Sequence, residues 1–90
     1  MTLKIVKGSD GQRILFWLSG RIRSADVGAI REQLKGITAG IVLDLKDVML
    51  VDRDVVTFLE KSEAEGVELV NCSPYIRAWI SRERDSDEKD

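Results

Sequence analysis

Histidine is absent from this chain, and cysteine and proline occur once each. Without histidine the chain lacks the side chain whose ordinary pKa suits proton transfer near neutral pH, so the commonest general base of enzymes is missing. The single Cys72 can close no intramolecular disulfide and found no cysteine metal cluster, which agrees with a reducing compartment. It reads as a small buried residue at a strand end. No glycine-rich loop precedes a helix, and no apolar run approaches the roughly 18 residues of a membrane span. The start, MTLKIVKGSDG, has no long apolar stretch after a basic opening, so no secretory signal is expected and the predicted location is cytoplasmic. Excess charge of one sign is lacking too. The formal net charge is -2, from 14 basic and 16 acidic residues that are interspersed, and this leaves no electrostatic footprint for DNA or RNA. Together these absences predict a protein without cofactor or metal that engages neither nucleic acid nor membrane.

What is present fits one small domain. Ninety residues, 43% apolar and 33% charged, have the composition of an ordinary globular protein and the length for a single core. Residues 3–7 alternate apolar and basic, and Gly8-Ser9-Asp10-Gly11 supplies turn chemistry before a second strand at 13–18, so a hairpin is expected. Ser24 is a candidate N-cap for a helix on which Val27, Ile30, Leu34 and Ile37 recur at steps of three and four, and Gly36 and Gly40 bracket its end. Residues 41–45 are a β-branched apolar run. The stretch MLVDRDVVTFLEK (49–61) then leads into a second amphipathic helix, expected to reach about Glu65 before Gly66 stops it. Residues 67–71 repeat the strand pattern. Ser73-Pro74 reads as an N-cap with proline in the first turn of a last helix, whose buried stripe is Ile76, Trp79 and Ile80.

The order ββαβαβα predicts an α/β fold: a small mixed sheet of about four strands, antiparallel at its start and parallel across the helical crossovers, with helices mainly on one face. Residues 1–81 form the domain, and the charged tail 82–90 is expected to be frayed or disordered. Alternation along the strands assigns one sheet face to Leu3, Ile5, Ile14, Phe16, Leu18, Ile41, Leu43, Leu45, Val67 and Leu69. The opposite face carries Lys4, Val6, Leu15, Trp17, Val42, Asp44, Glu68 and Val70, too apolar for open solvent and too charged for a deep core. Two covers are open for it: the last helix, with Trp79 over Trp17, or a homodimer or other partner.

The order of elements, with LSGRI after the second strand, IVLDLKDVMLVD leading into a helix, and GVELVNCSPYIRAWI after that helix, resembles the STAS domain, the family of sulfate-transporter and anti-sigma-factor-antagonist domains. The resemblance spans about residues 3–80 and rests on a pattern of apolar positions with a few fixed residues. It implies a bacterial-type signalling module that is a binding switch and not an enzyme, whose partner is a regulatory protein such as a kinase-type anti-sigma factor. In that family the segment after the third strand typically reads Asp-Ser-Ser-Gly-Leu, and the partner kinase phosphorylates a serine there. Aligned on Asp52, this chain reads Asp52-Arg53-Asp54-Val55-Val56, so the phosphoacceptor position is Asp54 and the serine switch is chemically blocked. The family also commonly continues with another strand and helix after the segment matching residues 73–80.

Two readings of the trio Asp52-Arg53-Asp54 stand side by side. A carboxylate at a helix start meets unpaired N–H groups and the positive end of the macrodipole, so Asp52 as N-cap and Asp54 in the first turn need no function. Alternatively, Asp54 holds permanent charge where relatives acquire it transiently. Phosphoserine carries about -1.5 to -2 charge and three acceptor oxygens against about -1 and two for Asp, so mimicry is partial. The resemblance makes Asp52, Arg53, Asp54, Val55 and Thr57 the candidate partner-binding residues, with Val55 holding a partner's backbone further away than glycine would. Thr57 also reads as an ordinary mid-helix threonine. Two rival functions remain. One is a scaffold subunit that homodimerises through its sheet face without a switch. The other is a phosphoacceptor site built from Asp44, Asp47, Asp52 and Asp54 around Mg²⁺.

Overall fold

The computed structural model describes residues 3–88. Seven elements follow one another: β1 (Lys4–Asp10), β2 (Arg13–Ile22), α1 (Ser24–Leu34), β3 (Gly40–Val51), α2 (Arg53–Ala64), β4 (Glu68–Val70) and α3 (Pro74–Glu88). The strands form one sheet in the order β1-β2-β3-β4, with β1 and β2 antiparallel and β2–β3 and β3–β4 parallel. The expected α/β fold is present, with each parallel pair joined through a helix.

All three helices lie against the same sheet face. Phe16, Leu18, Leu43, Leu45 and Leu69 from the strands form one buried cluster with Ile30 of α1, Val55, Val56, Phe58 and Leu59 of α2, and Ile76 and Ile80 of α3. Leu3, Ile5, Ile14, Ile41 and Val67 pack at its margin. Every residue assigned to the inner face by alternation is therefore found there, because a period of two leaves a strand only one way to bury its apolar set.

Local chemistry sets most boundaries. The hairpin turn is the pair Gly11-Gln12 between the partnered Asp10 and Arg13, one step later than the turn-rich residues 8–11 suggest, and Gly11 supplies the positive φ, 63°, that such a turn needs. The Ser73 hydroxyl oxygen accepts the Ile76 N–H at 3.3 Å, capping α3. The first helix starts differently from expectation. Its N-cap is Arg23, whose backbone N–H donates to Asp26 Oδ2 at 2.9 Å, and Ser24 is already the first helical residue. That helix ends at Leu34, short of Ile37, where Gly36 adopts a φ of 80°.

Three larger differences matter for function. Strand β3 runs to Val51, well past the apolar run 41–45. Its pairing with β2 slips between Trp17 and Ser19 and again between Gly20 and Arg21, so β3 carries an extra residue at each place. Beyond Asp44 it pairs only with β2, because β4 spans just three residues.

The charged tail also differs from its expected description. Residues 82–88 continue α3, held by charged side chains that reach α2. Composition alone reads such a segment as solvated, because the oppositely charged partners lie about 20 to 30 residues earlier in sequence. Residues 89 and 90 lie outside those described.

The last difference concerns the second sheet face, where one of the two open covers is excluded. Helix α3 does not cover it, and Trp79 does not lie over Trp17. Ile76 and Ile80 enter the common core, and Trp79 packs beside that core with its ring 5.9 Å from that of Tyr75. The open face keeps Val6 44% and Trp17 42% exposed. It protects itself in part: Val42 is buried, and the Trp17 ring lies over Gly8, where an added Cβ would sit 2.6 Å from the ring. At its rim Arg13, facing Gly40, reaches Glu68 at 3.0 Å.

The Gly8–Trp17 contact makes a quantitative expectation. Gly8→Ala forces the ring aside and destabilises the domain by about 1 kcal/mol, the lower end of overpacking costs, since an outer ring can swing away. In a Trp17→Ala background the same change costs less than half as much. Equal costs in the two backgrounds, measured by denaturant unfolding, would contradict the contact.

Candidate interaction site at the start of helix α2

Asp52 occupies the joint between β3 and α2 with an extended backbone, φ -108° and ψ -179°. Its Oδ1 accepts the Val55 N–H at 3.1 Å, the ordinary N-cap bond. Its Oδ2 accepts two further bonds from α1: the Ser24 N–H at 2.7 Å and the Ser24 hydroxyl at 2.8 Å. One carboxylate thus satisfies N–H groups at the starts of two helices, where both macrodipoles present their positive ends. Burial pushes the Asp52 carboxyl up, but the Ser24 hydroxyl and N–H, with the N–H groups of Val55 and Asp54, outweigh it and hold the carboxyl below its ordinary value.

The other candidates separate by direction. Arg53 is exposed, and its Nε donates to Glu83 Oε1 of α3 at 3.2 Å. Asp54 is exposed in the first turn, and among the described residues no hydrogen bond or ion pair engages its carboxylate. Val55 is 0% exposed in the core, so its expected role as a spacer against a partner is corrected to packing. The helix turns its inner stripe through this position, and a valine there completes the cluster with Val56 and Leu59. Thr57 is half-buried. The outward-facing part of the trio is Arg53 and Asp54, on a backbone that Asp52 fixes.

The acidic phosphoacceptor arrangement does not assemble. Asp44 Oδ1 accepts the Lys46 N–H at 2.9 Å and its Oδ2 accepts from Asn71 Nδ2 at 3.1 Å, at the slip in β3 and the end of β4. Asp52 is committed to the helix starts. Among the described residues no three acidic or cysteine side chains are gathered closely enough to hold a metal ion. Cys72 is half-buried beside the core, and burial pushes its thiol up, with Arg77 opposing and Glu63 adding to the shift.

A ladder of charge joins α2 to α3. Arg53 meets Glu83, Glu60 meets Arg84 at 3.7 Å, and Glu63 accepts from Arg77 at 2.9 Å and Arg84 at 2.7 Å. The start of α2 meets the later part of α3, and Glu63 near its end meets both Arg77 and Arg84. The Arg77 hydrogen bond, opposed by burial and aided by Arg84, holds the Glu63 carboxyl below its ordinary value. Ser24 and Glu83 are the functional neighbours that sequence reasoning missed. Ser24 was visible as a capping residue, but its bond spans 28 positions; Glu83 was hidden in a run of charge. Surface concavities lie elsewhere. One of about 850 Å³ opens between the ends of α1 and α2, beside Phe58 and Ser62, and one of about 720 Å³ opens beside Lys4, Asp47 and Met49.

No protein-family model matches the chain, and no curated protein matches it. Among solved structures, one described as "Crystal Structure Analysis of Mglu" is similar with a TM-score of 0.53 and 24% identity over 71% of this chain. The chain spans only 18% of the length of that protein. The likeness is one of fold. No helix among the described residues is long and apolar enough to cross a membrane.

The geometry of Asp52 sets a pH dependence. A carboxyl held below its ordinary value, 3.8, contributes its full stability above that value and loses it as pH falls through the lower folded value. Asp52→Asn keeps an oxygen for the Val55 N–H but puts an NH2 donor where Oδ2 accepts from Ser24, so it is expected to cost about 1–2 kcal/mol at pH 7, the order of losing hydrogen bonds to a charged group. The gap to wild type should stay constant down to about pH 5 and close below the ordinary carboxylate value. A gap that is the same at pH 3 and pH 7 would contradict the assignment.

Proposed function

We propose that this chain is a non-catalytic interaction module of the anti-sigma-factor-antagonist type, acting in the cytoplasm. In this reading the exposed turn of α2 binds a regulatory partner protein, with Asp54 at the position where STAS relatives carry phosphoserine. The observation that carries the reading is Asp54: exposed, unengaged among the described residues, and presented from a helix start held rigid by Asp52. A rigid convex turn with one free carboxylate is suited to insertion into a complementary, cationic surface, since charge complementarity fixes partner and register. Arg53 beside it adds a donor of opposite sign. The serine chemistry of the relatives has no acceptor here, so the module signals by presence or by amount and not by phosphorylation of this turn.

The second reading, a scaffold subunit that homodimerises, is favoured by one observation: the open sheet face with Val6 and Trp17 exposed. Sedimentation separates it from the first, because a monomer at micromolar concentration leaves that face without a second copy.

Affinity purification with the wild-type chain and with Asp54→Arg tests the main reading. One regulatory protein of the serine-kinase anti-sigma class should accompany the wild type and fall at least about tenfold with the variant, equivalent to about 1.4 kcal/mol of binding. The variant's own stability should fall by about 1 kcal/mol at most, from placing a cation at a helix start. Recovery of the same proteins in equal amounts by both chains would sink the proposal.

A further inference from the structure

Helix α3 is attached to the domain in two chemically different ways. Its first part is fixed by apolar burial, with Ile76 1% and Ile80 0% exposed. After Ile80 the described side chains are Ser81, Arg82, Glu83, Arg84 and Asp85, and the contacts made there are charged: Arg84 to Glu60 and Glu63, and Glu83 to Arg53. These pairs are seated at the Glu60 and Glu63 carboxylates and open to solvent at Arg84 and Arg53, so salt screens them in part and they hold the segment less firmly than the apolar burial of Ile76 and Ile80 holds the start of the helix.

One of its contacts falls on the candidate docking turn. The Glu83 side chain is seated, 16% exposed, whereas the Arg53 side chain that it engages is 79% exposed. The guanidinium has five N–H donors in a planar fork, of which the contact with Glu83 uses the Nε–H at 3.2 Å. A carboxylate arriving from outside would therefore meet an arginine already partly neutralised by a carboxylate of the same chain, one residue from Asp54.

We propose that the segment of α3 after Ile80 is an autoinhibitory strap, in which Glu83 competes with acidic groups of an incoming protein for Arg53. Its biological meaning rests on the reading of the α2 turn as a docking site, but the competition is a property of this chain alone. When the strap is closed, the turn offers Asp54 beside an arginine that Glu83 partly neutralises. When it opens, the turn offers adjacent groups of both signs, Arg53 and Asp54. The affinity for a partner with a carboxylate facing Arg53 then depends on the strap's equilibrium, since a site open only part of the time binds with its affinity reduced by that fraction.

Amide hydrogen exchange and the Arg53 Nε–H resonance test this on the full chain. Raising salt from 50 to 500 mM should speed exchange at residues 82–85 several-fold and leave Ile76–Ile80 unchanged. Glu83→Gln should produce the same acceleration at 50 mM salt. Hexaglutamate serves as the acidic probe. It should shift the Arg53 Nε–H resonance at a concentration at least threefold lower in Glu83→Gln than in wild type, and the charge-exchanged pair Arg53→Glu with Glu83→Arg should restore slow exchange at residues 82–85. Exchange at 82–85 that responds to neither salt nor substitution, or equal hexaglutamate midpoints in the two proteins, would overturn the proposal. None of these readouts uses a protein partner, so they stand or fall apart from the docking function itself.

Discussion

The Asp52 carboxylate is the interaction on which the arrangement of the helices depends. It lies between β3 and α2, yet two of its three hydrogen bonds come from the first residue of α1, 28 positions earlier. Charge-assisted bonds of 2.7 and 2.8 Å are among the stronger polar contacts that a surface carboxylate makes. They bring together two strand-to-helix junctions that the sheet alone would leave adjacent but unlinked. With both helix starts fixed, the inner stripe of α2 places Val55, Val56, Phe58 and Leu59 over the sheet, and its outer side faces α3 with Arg53, Glu60 and Glu63.

From that geometry the rest of the surface follows. Because α3 docks on α2 through apolar residues first and charge afterwards, it stays on the helical side of the sheet, and the other face remains open. That face is only partly defended, by the Trp17 ring over Gly8 and by the ion-paired rim at Arg13 and Glu68. The molecule therefore has two surfaces of distinct character. One is a rigid charged turn at the start of α2; the other is a mixed, moderately apolar sheet face. The proposed docking function belongs to the first and the scaffold alternative to the second.

Much of the fold was legible because alternation and helical spacing carry their own geometry. The ten inner-face residues were readable from the period of two, the Ser73-Pro74 start of α3 from capping chemistry, and the end of α2 from Gly66. What escaped depends on contacts distant in sequence. The extension of β3 past Leu45 rests on pairing with β2 through two slips, which no local pattern encodes. The helix at 82–88 carries ion pairs to α2, from Glu83 to Arg53 and from Arg84 to Glu60 and Glu63, and a charged run looks the same whether or not it has partners. At the site, the capping role of Asp52 was readable, but its second helix was not. The inward turn of Val55 was misjudged because the aligned family position is glycine, although a helical wheel through Val56 and Leu59 already turns it toward the core.

In the proposed function the start of α2 is a preorganised surface, and that organisation comes from the link between Asp52 and Ser24. A double-mutant cycle on Ser24→Ala and Asp52→Ala, followed by urea unfolding at pH 7, measures the link directly. The expected coupling is about 0.5–1.5 kcal/mol, with the double variant less destabilised than the sum of the single variants. Additive effects, with no coupling between the two positions, would contradict it.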